Sequence, residues 1–220
     1  MTLADEISKR QIVELLHFTT NNGIVGTLAQ KALLSRHRLP EEKYLKHVLR
    51  INAATRPEEN ELFDKSQNWL DYVNLSISEI NAHYFAVSKR WHPASNIWWG
   101  ILAFDAQIMT HSDVVFATTN NAYDCCIRGG GLEGLEALFS PYIRRKKQGW
   151  SVTRGNRLPF LPTCQQAEVL YPAEVPTNYL RRIYVNAEDH HDWATGWLGD
   201  FGFSGVDVIL SPEKFAGKPN

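Results

Sequence analysis

The sequence predicts an α+β fold, in which short strands and helices follow one another without regular alternation. Short apolar or alternating segments of strand length are separated by helix-like stretches of uneven length, unlike the repeat of a doubly wound sheet. The chain has 220 residues, enough for one domain with a hydrophobic core, and its 44% hydrophobic and 21% charged residues are ordinary for a globular protein. We therefore expect residues 1–220 to form a single domain.

The first third of the chain predicts a strand, a turn and a helix. Residues 13–19 have the apolar character of a strand, and the polar residues 20–23, which end in glycine, predict a turn. The helix is predicted by three apolar residues at a spacing of four, namely Ile24, Leu28 and Ala32. Residues 40–68 are polar and charged and predict a helix with a long loop.

The rest of the chain predicts six further strands and two helices. The strands share short apolar or alternating patterns and comprise residues 69–77, 98–104, 112–116, 167–171, 180–185 and 206–210. The two helices are predicted over residues 132–139 and 190–198.

Composition and short motifs argue against several classes of protein. The net charge is −1, so a polyanionic partner would need a local basic patch. Cys125, Cys126 and Cys164 form neither a disulfide framework nor a spaced metal motif, so we expect no metal and a reducing, cytoplasmic setting. The first residues lack the pattern of a signal peptide, and no apolar stretch approaches the roughly 18 residues that span a bilayer, so we expect no membrane partner.

One basic segment departs from this neutral balance. Between Glu136 and Glu168 the sequence contains no acidic residue, and its glycines and prolines favour a long loop. Basic side chains neutralise phosphates and exposed rings stack on bases, so the segment indicates binding to single-stranded nucleic acid, with a solvated surface loop as the alternative. The candidate nucleic-acid-binding residues are Arg144, Arg145, Lys146, Lys147, Trp150, Arg154 and Arg157.

Four sequence blocks, taken in order, resemble the DarT family of DNA ADP-ribosyltransferases. Together with their flanking residues they span residues 16–185, and their order and spacing carry the resemblance. The blocks are Leu16-His17-Phe18-Thr19, Asp71-Tyr72-Val73-Asn74-Leu75, Trp99-Gly100-Ile101-Leu102-Ala103-Phe104-Asp105, and Gln166-Ala167-Glu168-Val169-Leu170 followed by Tyr179-Leu180-Arg181-Arg182-Ile183-Tyr184-Val185. The resemblance implies two small packed sheets with an NAD+ cleft between them.

The resemblance also implies the residues of an active site. Glu168 matches the catalytic glutamate, and Gln166 would lie on the same strand face, where it could contact the acceptor base. His17 matches a histidine that hydrogen-bonds a ribose of NAD+, with Thr19 beside it on the same face of the strand. The basic segment directly before Glu168 would be the substrate-recognition element.

Two further assignments rest on looser matches. An arginine upstream of the second block also serves catalysis in the family, and Arg56 is its nearest counterpart, with Arg50 as a competitor. Tyr72 is a candidate ring for stacking on the cofactor, with a packed core tyrosine as the alternative.

The sequence departs from the family pattern after the second block. The family usually carries an Arg-Ser-Pro-Met-like run there, whereas this chain has Asn81-Ala82-His83-Tyr84-Phe85. Since that segment would lie near the cofactor or the acceptor, the preference for an acceptor cannot be carried over, and the acceptor is DNA, which we favour, or RNA.

The chemistry explains why a single glutamate would suffice. Breaking the bond between nicotinamide and ribose develops positive charge on the ribose, as in glycoside hydrolysis. A carboxylate beside the ribose stabilises that charge and can take a proton from an acceptor nitrogen. NAD+ would be consumed as a co-substrate.

The family resemblance implies a toxin or anti-phage effector held in check by an antitoxin protein. Two other readings remain open at this point. A protein-modifying ADP-ribosyltransferase would share the fold and the Gln-x-Glu spacing, and an inactive nucleic-acid-binding module would share the basic segment. The acid-free segment favours nucleic acid over the first, and the presence of both His17 and Glu168 argues against the second.

Overall fold

The computed structural model describes residues 1–39, 69–92, 94–145 and 150–219. The helix and loop predicted for residues 40–68 lie outside the described residues. Within these ranges the α+β class is confirmed: helices and strands follow one another irregularly.

Five α-helices and twelve strands make up the described chain, together with short 3₁₀ helices. The helices are α1 (Leu3–Lys9), α2 (Asn21–Gln30), α3 (Ala82–Trp91), α4 (Gly131–Ala137) and α5 (Glu188–Asp200). The strands are β1 (Glu14–Thr20), β2 (Ala32–Leu34), β3 (Tyr72–Ile77), β4 (Trp99–Asp105), β5 (Val115–Ala117), β6 (Arg128–Gly130), β7 (Tyr142–Arg144), β8 (Ser151–Thr153), β9 (Glu168–Pro172), β10 (Glu174–Pro176), β11 (Leu180–Val185) and β12 (Asp207–Leu210).

Eight of these strands form one sheet in the order β12-β11-β4-β1-β3-β9-β5-β6. β10 pairs with β2, and β7 pairs with β8, in two separate hairpin-sized sheets. The β11–β12 pair is parallel, and the other neighbours in the large sheet are antiparallel.

The large sheet is nearly divided in its middle. β1 and β4 are paired over seven residues, whereas β1 and β3 pair only at Leu15↔Ile77 and Leu16↔Ser76. Beyond Leu16 the two strands separate, and a cleft opens between the halves of the sheet. The two small packed sheets expected from the family resemblance are therefore two four-stranded halves joined edge to edge by a short ladder.

The core lies on both faces of the central strands. Leu102 and Phe104 of β4 pack into the larger core under α1, α2, α4 and α5, while Ile101 and Ala103 pack into a second cluster under α3. All four side chains are fully buried, as the continuous apolar run of β4 predicts for a strand covered on both faces.

Most predicted strands are found within a few residues of their expected positions. Residues 180–185 form β11 as predicted, and the first predicted strand is β1, one residue further on. Residues 69–71 form a 3₁₀ helix instead of the start of β3.

The turn predicted over residues 20–23 was wrong. Thr20 is the N-cap of α2, and its hydroxyl accepts the N–H of Gly23 at 3.3 Å, so the helix begins at Asn21. Ile24 and Leu28 face the core as predicted, but the helix ends before Ala32, which lies in β2.

Two close approaches in this fold require glycine. A Cβ on Gly134 of α4 would lie 2.2 Å from the carbonyl oxygen of Gly129, so these two glycines let the helix rest on β6. A Cβ on Gly23 would lie 2.0 Å from the hydroxyl oxygen of Thr19, so the first turn of α2 leaves room for that hydroxyl.

Candidate active site

Glu168 is the first residue of β9 and lies beside the cleft that divides the sheet. It pairs with Ala117 of β5, and its Oε2 accepts the backbone N–H of Asn121 at 2.7 Å. Asn121 belongs to the loop that follows β5. The carboxyl group is therefore held by an adjacent loop as well as by its own strand.

The surroundings of Glu168 change its acidity. Burial raises the pKa of the Glu168 carboxyl to about 7, although the Asn121 N–H, the side chain of Asn74 and the charge of Arg128 all favour the carboxylate. A carboxyl group with a pKa near neutrality exchanges protons readily at the pH of a cell, which suits a general base.

His17 lies where β1 and β3 separate. Its Nδ1 is 2.9 Å from the carbonyl oxygen of Asn74, and because a carbonyl can only accept, Nδ1 carries the proton. Burial lowers the pKa of His17, so the ring is neutral at pH 7 and Nε2 remains an acceptor. The bond from the His17 ring to Asn74 thus connects β1 to β3 where their backbone pairing has ended. Nε2 of the same ring offers a hydrogen-bond acceptor to a ligand.

The cleft has a volume of about 220 Å³ and two chemically different walls. His17, Thr19 and Asn74 line it from the sheet, together with Gln166 and Glu168. Thr19 follows His17 on the same strand face, as predicted. The cleft therefore brings together five polar side chains from β1, β3, the turn before β9 and the first residue of β9.

The opposite wall is helix α3, which the sequence analysis did not predict. Tyr84, Ser88 and Trp91 line the cleft at helical spacing, followed by His92. Asn81 caps the helix by accepting the N–H of Tyr84 at 3.0 Å. An Asn cap before residues at spacings of four and three was the sequence signal for this helix.

Gln166 lies in the turn before β9 and not on the strand, so its predicted place two residues along the same strand face was wrong. Its side chain is buried and lines the cleft near Glu168. The Oε1 atom of Gln166 accepts from Nε of Arg145 at 3.3 Å. Gln166 thereby links the cleft to the basic segment.

Tyr72 lies at the start of β3, outside the set of residues that line the cleft. Its ring packs against Trp69, with 5.2 Å between the ring centroids. Arg56 and Arg50, the candidate catalytic arginines, lie outside the described residues.

Within the basic segment β7 and β8 form a short hairpin, and residues 154–167 between β8 and β9 form the predicted loop. The guanidinium carbon of Arg145 lies 4.8 Å from the centre of the Trp150 ring, and Trp150 is 56% exposed. Arg144 is exposed on β7. Lys146 and Lys147 lie outside the described residues. Aromatic and cationic groups therefore meet at the surface beside Gln166.

Arg154 and Arg157 differ from the other candidates because their guanidinium groups bind within the protein. Arg154 donates to the carbonyl oxygens of Leu161 and Leu158, each at 3.0 Å. Arg157 pairs with the buried carboxylate of Glu79 and donates to the Pro162 carbonyl at 2.9 Å. These contacts assign both arginines to anchoring the segment and correct the expectation that they face nucleic acid.

Sequence reasoning missed three polar residues around the carboxyl of Glu168: Asn74, Asn121 and Arg128. Asn74 lies on β3, Asn121 in the loop after β5, and Arg128 on β6. Only the pairing of β3, β9, β5 and β6 brings them together. In the described part of the chain, no group of three or more His, Cys, Asp or Glu side chains is placed to hold a metal ion. No helix within the described ranges is long and apolar enough to cross a membrane.

Comparison with known proteins links this chain to one family. Residues 16–216 match the family model described as "ssDNA thymidine ADP-ribosyltransferase, DarT". A comparison with curated protein sequences gives no match.

Solved structures of similar fold include DarT proteins with bound ligands. Thermus sp. 2.9 DarT in complex with NAD+ has a TM-score of 0.61 at 14% identity, covering 91% of this chain and 96% of that one. The same protein in complex with ADP-ribosylated ssDNA has a TM-score of 0.61 at 16% identity, covering 93% and 96%. Thermosipho africanus DarTG in complex with ADP-ribose has a TM-score of 0.58 at 15% identity; the alignment covers 94% of this chain but only 52% of that one.

The chain therefore spans about half the length of the Thermosipho protein and nearly the whole length of the Thermus protein. At these identities the structural likeness shows a shared fold, and the family model adds the assignment. Because that model matches nearly the whole sequence, this chain belongs to the DarT family of single-stranded-DNA thymidine ADP-ribosyltransferases.

Proposed function

We propose that this protein transfers ADP-ribose from NAD+ to a thymine base of single-stranded DNA. The observation that carries the proposal is the carboxyl of Glu168, which is held by Asn121 at the edge of a cleft that His17 also lines. Family membership supports the reaction, and the complexes of Thermus sp. 2.9 DarT with NAD+ and with ADP-ribosylated ssDNA support both substrates.

The sheet wall of the cleft suits the ribose part of NAD+. Nε2 of the neutral His17 ring accepts a hydroxyl hydrogen, and the Thr19 hydroxyl on the same strand face can donate or accept. A ribose hydroxyl both donates and accepts, so it can bond to either of these groups. A catalytic role for Arg56 remains part of this proposal, whereas the packing of Tyr72 on Trp69 favours the alternative of a packed core tyrosine over stacking on the cofactor.

Glu168 would act on both bonds that change. As the bond from the ribose C1′ to nicotinamide breaks, its electron pair leaves with neutral nicotinamide and positive charge develops on the ribose. The carboxylate stabilises that charge. The acceptor nitrogen then bonds to C1′ and its proton passes to Glu168. Thymine in DNA has a single N–H, at N3, because N1 bears the deoxyribose.

The basic hairpin supports single-stranded DNA as the acceptor. Arg144, Arg145 and the exposed Trp150 ring provide charge for phosphates and a surface for stacking, and Gln166 connects Arg145 to the cleft. Lys146 and Lys147, which lie between β7 and β8 in the sequence, would add positive charge to the basic segment. RNA has the same phosphates, so the labelling experiment below compares DNA with RNA and thymidine-containing DNA with DNA that lacks thymidine.

The same proposal includes a biological setting. The family and the Thermosipho africanus DarTG structure support the proposal of a toxin or anti-phage effector with an antitoxin protein as its partner. We further propose that residues 1–220 act as a single domain in the cytoplasm, which the large sheet and free cysteines support.

The decisive experiment follows label from NAD+ into nucleic acid. Purified protein is incubated with NAD+ labelled in the adenylate and with single-stranded DNA with or without thymidine, or with RNA. We expect label only on thymidine-containing DNA, and a loss of at least 1,000-fold, an order-of-magnitude expectation for a catalytic carboxylate, in Glu168→Gln. Glu136→Gln, an exposed glutamate on α4, is the matched control and should keep full activity.

Four outcomes would contradict the proposal. Label on RNA alone would change the acceptor, and label on protein alone would make the enzyme a protein-modifying ADP-ribosyltransferase. Full activity of Glu168→Gln would remove the catalytic assignment. DNA binding without any use of NAD+ would leave a binding module in its place.

A further inference from the structure

Three neighbouring strands place Glu168 and Arg128 in one row of the sheet. Glu168 of β9 pairs with Ala117 of β5, and Ala117 pairs with Arg128 of β6. Residues directly opposite on paired strands project from the same face, about 5 Å apart per strand. Arg128 and Glu168 therefore project from one face with only the small side chain of Ala117 between them.

Arg128 reaches toward Glu168 through Asn121. Its Nε donates to Oδ1 of Asn121 at 2.6 Å, and its Nη2 donates to the carbonyl oxygen of the same residue. Its Nη1 donates to the carbonyl of Cys126 at 3.4 Å. One guanidinium group thus holds both the side chain and the backbone of the residue whose N–H binds the Glu168 carboxylate.

The loop that carries Asn121 is held at its middle by Arg128. Its two ends are closed by hydrogen bonds between Thr118 and Ile127, in which Thr118 N–H donates to the Ile127 carbonyl at 3.0 Å and Ile127 N–H to the Thr118 hydroxyl at 3.2 Å. Between these ends Arg128 ties Asn121 to β6. This tie adds to the other contacts of the loop, such as the thiol of Cys164 donating to the Thr119 hydroxyl at 3.4 Å, and it is the one that acts on Asn121 directly through both its side chain and its carbonyl.

Arg128 itself is fixed from two sides. Its guanidinium carbon lies 5.1 Å from the centre of the Trp69 ring, a cation–π distance. Its strand is held against α4 by the close approach of Gly129 and Gly134. Because at least three of its N–H groups point to Asn121 and Cys126, this geometry favours a role inside the site over binding a substrate phosphate.

We propose that Arg128 is a positioning residue for the transferase reaction, acting through Asn121 to fix the orientation and the negative charge of the Glu168 carboxylate. The inference rests on the proposed function, in which Glu168 is the catalytic carboxylate. Arg128 lies outside the sequence blocks that resemble the family.

The charge of Arg128 has a measurable consequence. It lowers the pKa of Glu168, against the burial that raises it. The groups that face the carboxyl from neighbouring elements are the Asn74 side chain on β3, the thiol of Cys126 in the loop, and His17 on β1 across the cleft. Arg145 reaches the same cleft through Gln166. Arg128 is the cation that acts on Glu168 among the described groups.

The test compares Arg128→Gln, which removes the charge, with Arg128→Lys, which keeps the charge but loses the forked hold on Asn121. Arg181→Gln is the matched control, since Arg181 pairs with Asp105 at the far end of β4. We expect Arg128→Gln to lose roughly tenfold or more in kcat at pH 7 with little change in KM for NAD+. The acid limb of its kcat–pH profile should move up by about one pH unit, because the pKa of Glu168 rises when the positive charge is removed. Arg128→Lys should lose kcat while its acid limb stays near that of the unchanged protein.

A second measurement needs no activity. The carboxyl carbon of Glu168, labelled with ¹³C and assigned by its absence in Glu168→Gln, is titrated by NMR. Arg128→Gln should raise its midpoint, and Arg181→Gln should leave it unchanged.

The outcomes separate this inference from the proposed function. An unchanged midpoint and an unchanged acid limb in Arg128→Gln would overturn it, whatever the enzyme transfers. Loss of activity that is equal at every pH and follows a loss of folded protein would also overturn it, since Arg128 would then be only structural. If no DNA is labelled but the midpoint shifts, the proposed function fails and the coupling of Arg128 to Glu168 stands.

Discussion

At the scale of single residues, the features that suit Glu168 to catalysis also work against stability. Burial favours the neutral acid in the folded protein, whereas the unfolded chain leaves the carboxyl in water near its ordinary pKa of 4.5. Between pH 4.5 and about 7 the folded state therefore binds more protons at this group than the unfolded state does. The contribution of Glu168 to the free energy of unfolding is therefore fully present below pH 4.5 and is lost as the pH rises through about 7.

We predict that Glu168→Gln is more stable than the unchanged protein at pH 8 and equally stable near pH 4.5. Glutamine has nearly the same shape, can still accept the Asn121 N–H, and removes a charge that burial disfavours. The gain at pH 8 should be on the order of 1–3 kcal/mol in the free energy of unfolding. Thermal or urea unfolding at a series of pH values measures it.

The difference between the two proteins is the informative quantity, because Glu79 also has a raised pKa and contributes equally to both. The exposed Glu136→Gln variant should show no such gain. A stability difference for Glu168→Gln that is flat across pH would mean that the folded protein does not raise the pKa of this carboxyl.

The sequence could predict some of these residues and not others. Glu168 and His17 lie in short blocks whose own residue order is informative, and the cleft brings the two together. Asn121 and Arg128 are adjacent to Glu168 only through strand pairing between distant parts of the chain, which no local pattern encodes. Arg154 and Arg157 show the reverse limit: composition gives the charge of a side chain but not the direction in which it points.

At the scale of elements, long buried strands were easier to predict than short ones. β4 and β11 are seven and six residues long, and their apolar runs give a clear pattern. β2, β6, β7, β8 and β10 have only three residues each, too few for a period to be recognised. Helix α3 was missed because its cleft-facing side carries aromatic and polar side chains in place of an apolar stripe.

The β7–β8 hairpin is the element whose charge should govern DNA binding. Each arginine that neutralises a phosphate of single-stranded DNA releases counterions. The logarithm of the binding constant therefore falls with the logarithm of the salt concentration, with a slope of about 0.7 per contact. We predict that Arg144→Gln/Arg145→Gln weakens binding to a thymidine-containing oligonucleotide and lowers the salt slope by about 1.4. Fluorescence anisotropy at several salt concentrations measures both effects.

The control removes the same charge elsewhere. Lys9→Gln/Arg181→Gln changes two exposed cations that pair with Glu6 and Asp105, away from the hairpin. It should leave the slope within error of the unchanged protein. Equal slopes in both double variants would mean that DNA binds through other residues and that the hairpin is a solvated surface element.

At the scale of the whole molecule, one buried ion pair connects the strand that carries His17 to a segment 200 residues away in sequence. Nζ of Lys214 lies 2.6 Å from Oε1 of Glu14, and both side chains are almost completely buried. The hydroxyl of Tyr184 donates to Oε2 of Glu14 at 2.8 Å. Phe215, the residue after Lys214, packs against Phe85 of α3 with 5.7 Å between the ring centroids.

This arrangement joins the two walls of the cleft from behind. Glu14 begins the strand that carries His17 and Thr19, whereas Phe85 belongs to the helix that carries Tyr84 and Trp91. The 3₁₀ helix Pro212–Ala216 contacts both walls, through Lys214 and Phe215. This 3₁₀ helix adds a long-range contact, which no local sequence pattern could reveal, to the direct packing of Phe18 of β1 on Phe85.

Breaking the pair from one side should be costly. Lys214→Met keeps the approximate length of the side chain but removes the cation that lies 2.6 Å from the buried Glu14 carboxylate, whereas Arg182 lies 3.6 Å away. We predict a loss of about 3 kcal/mol or more in the free energy of unfolding. The double variant Lys214→Met/Glu14→Gln should recover part of that loss, because it removes the uncompensated charge as well. Urea unfolding of the unchanged protein, both single variants and the double variant gives the coupling energy, and additive losses would show that the two groups stabilise the fold independently.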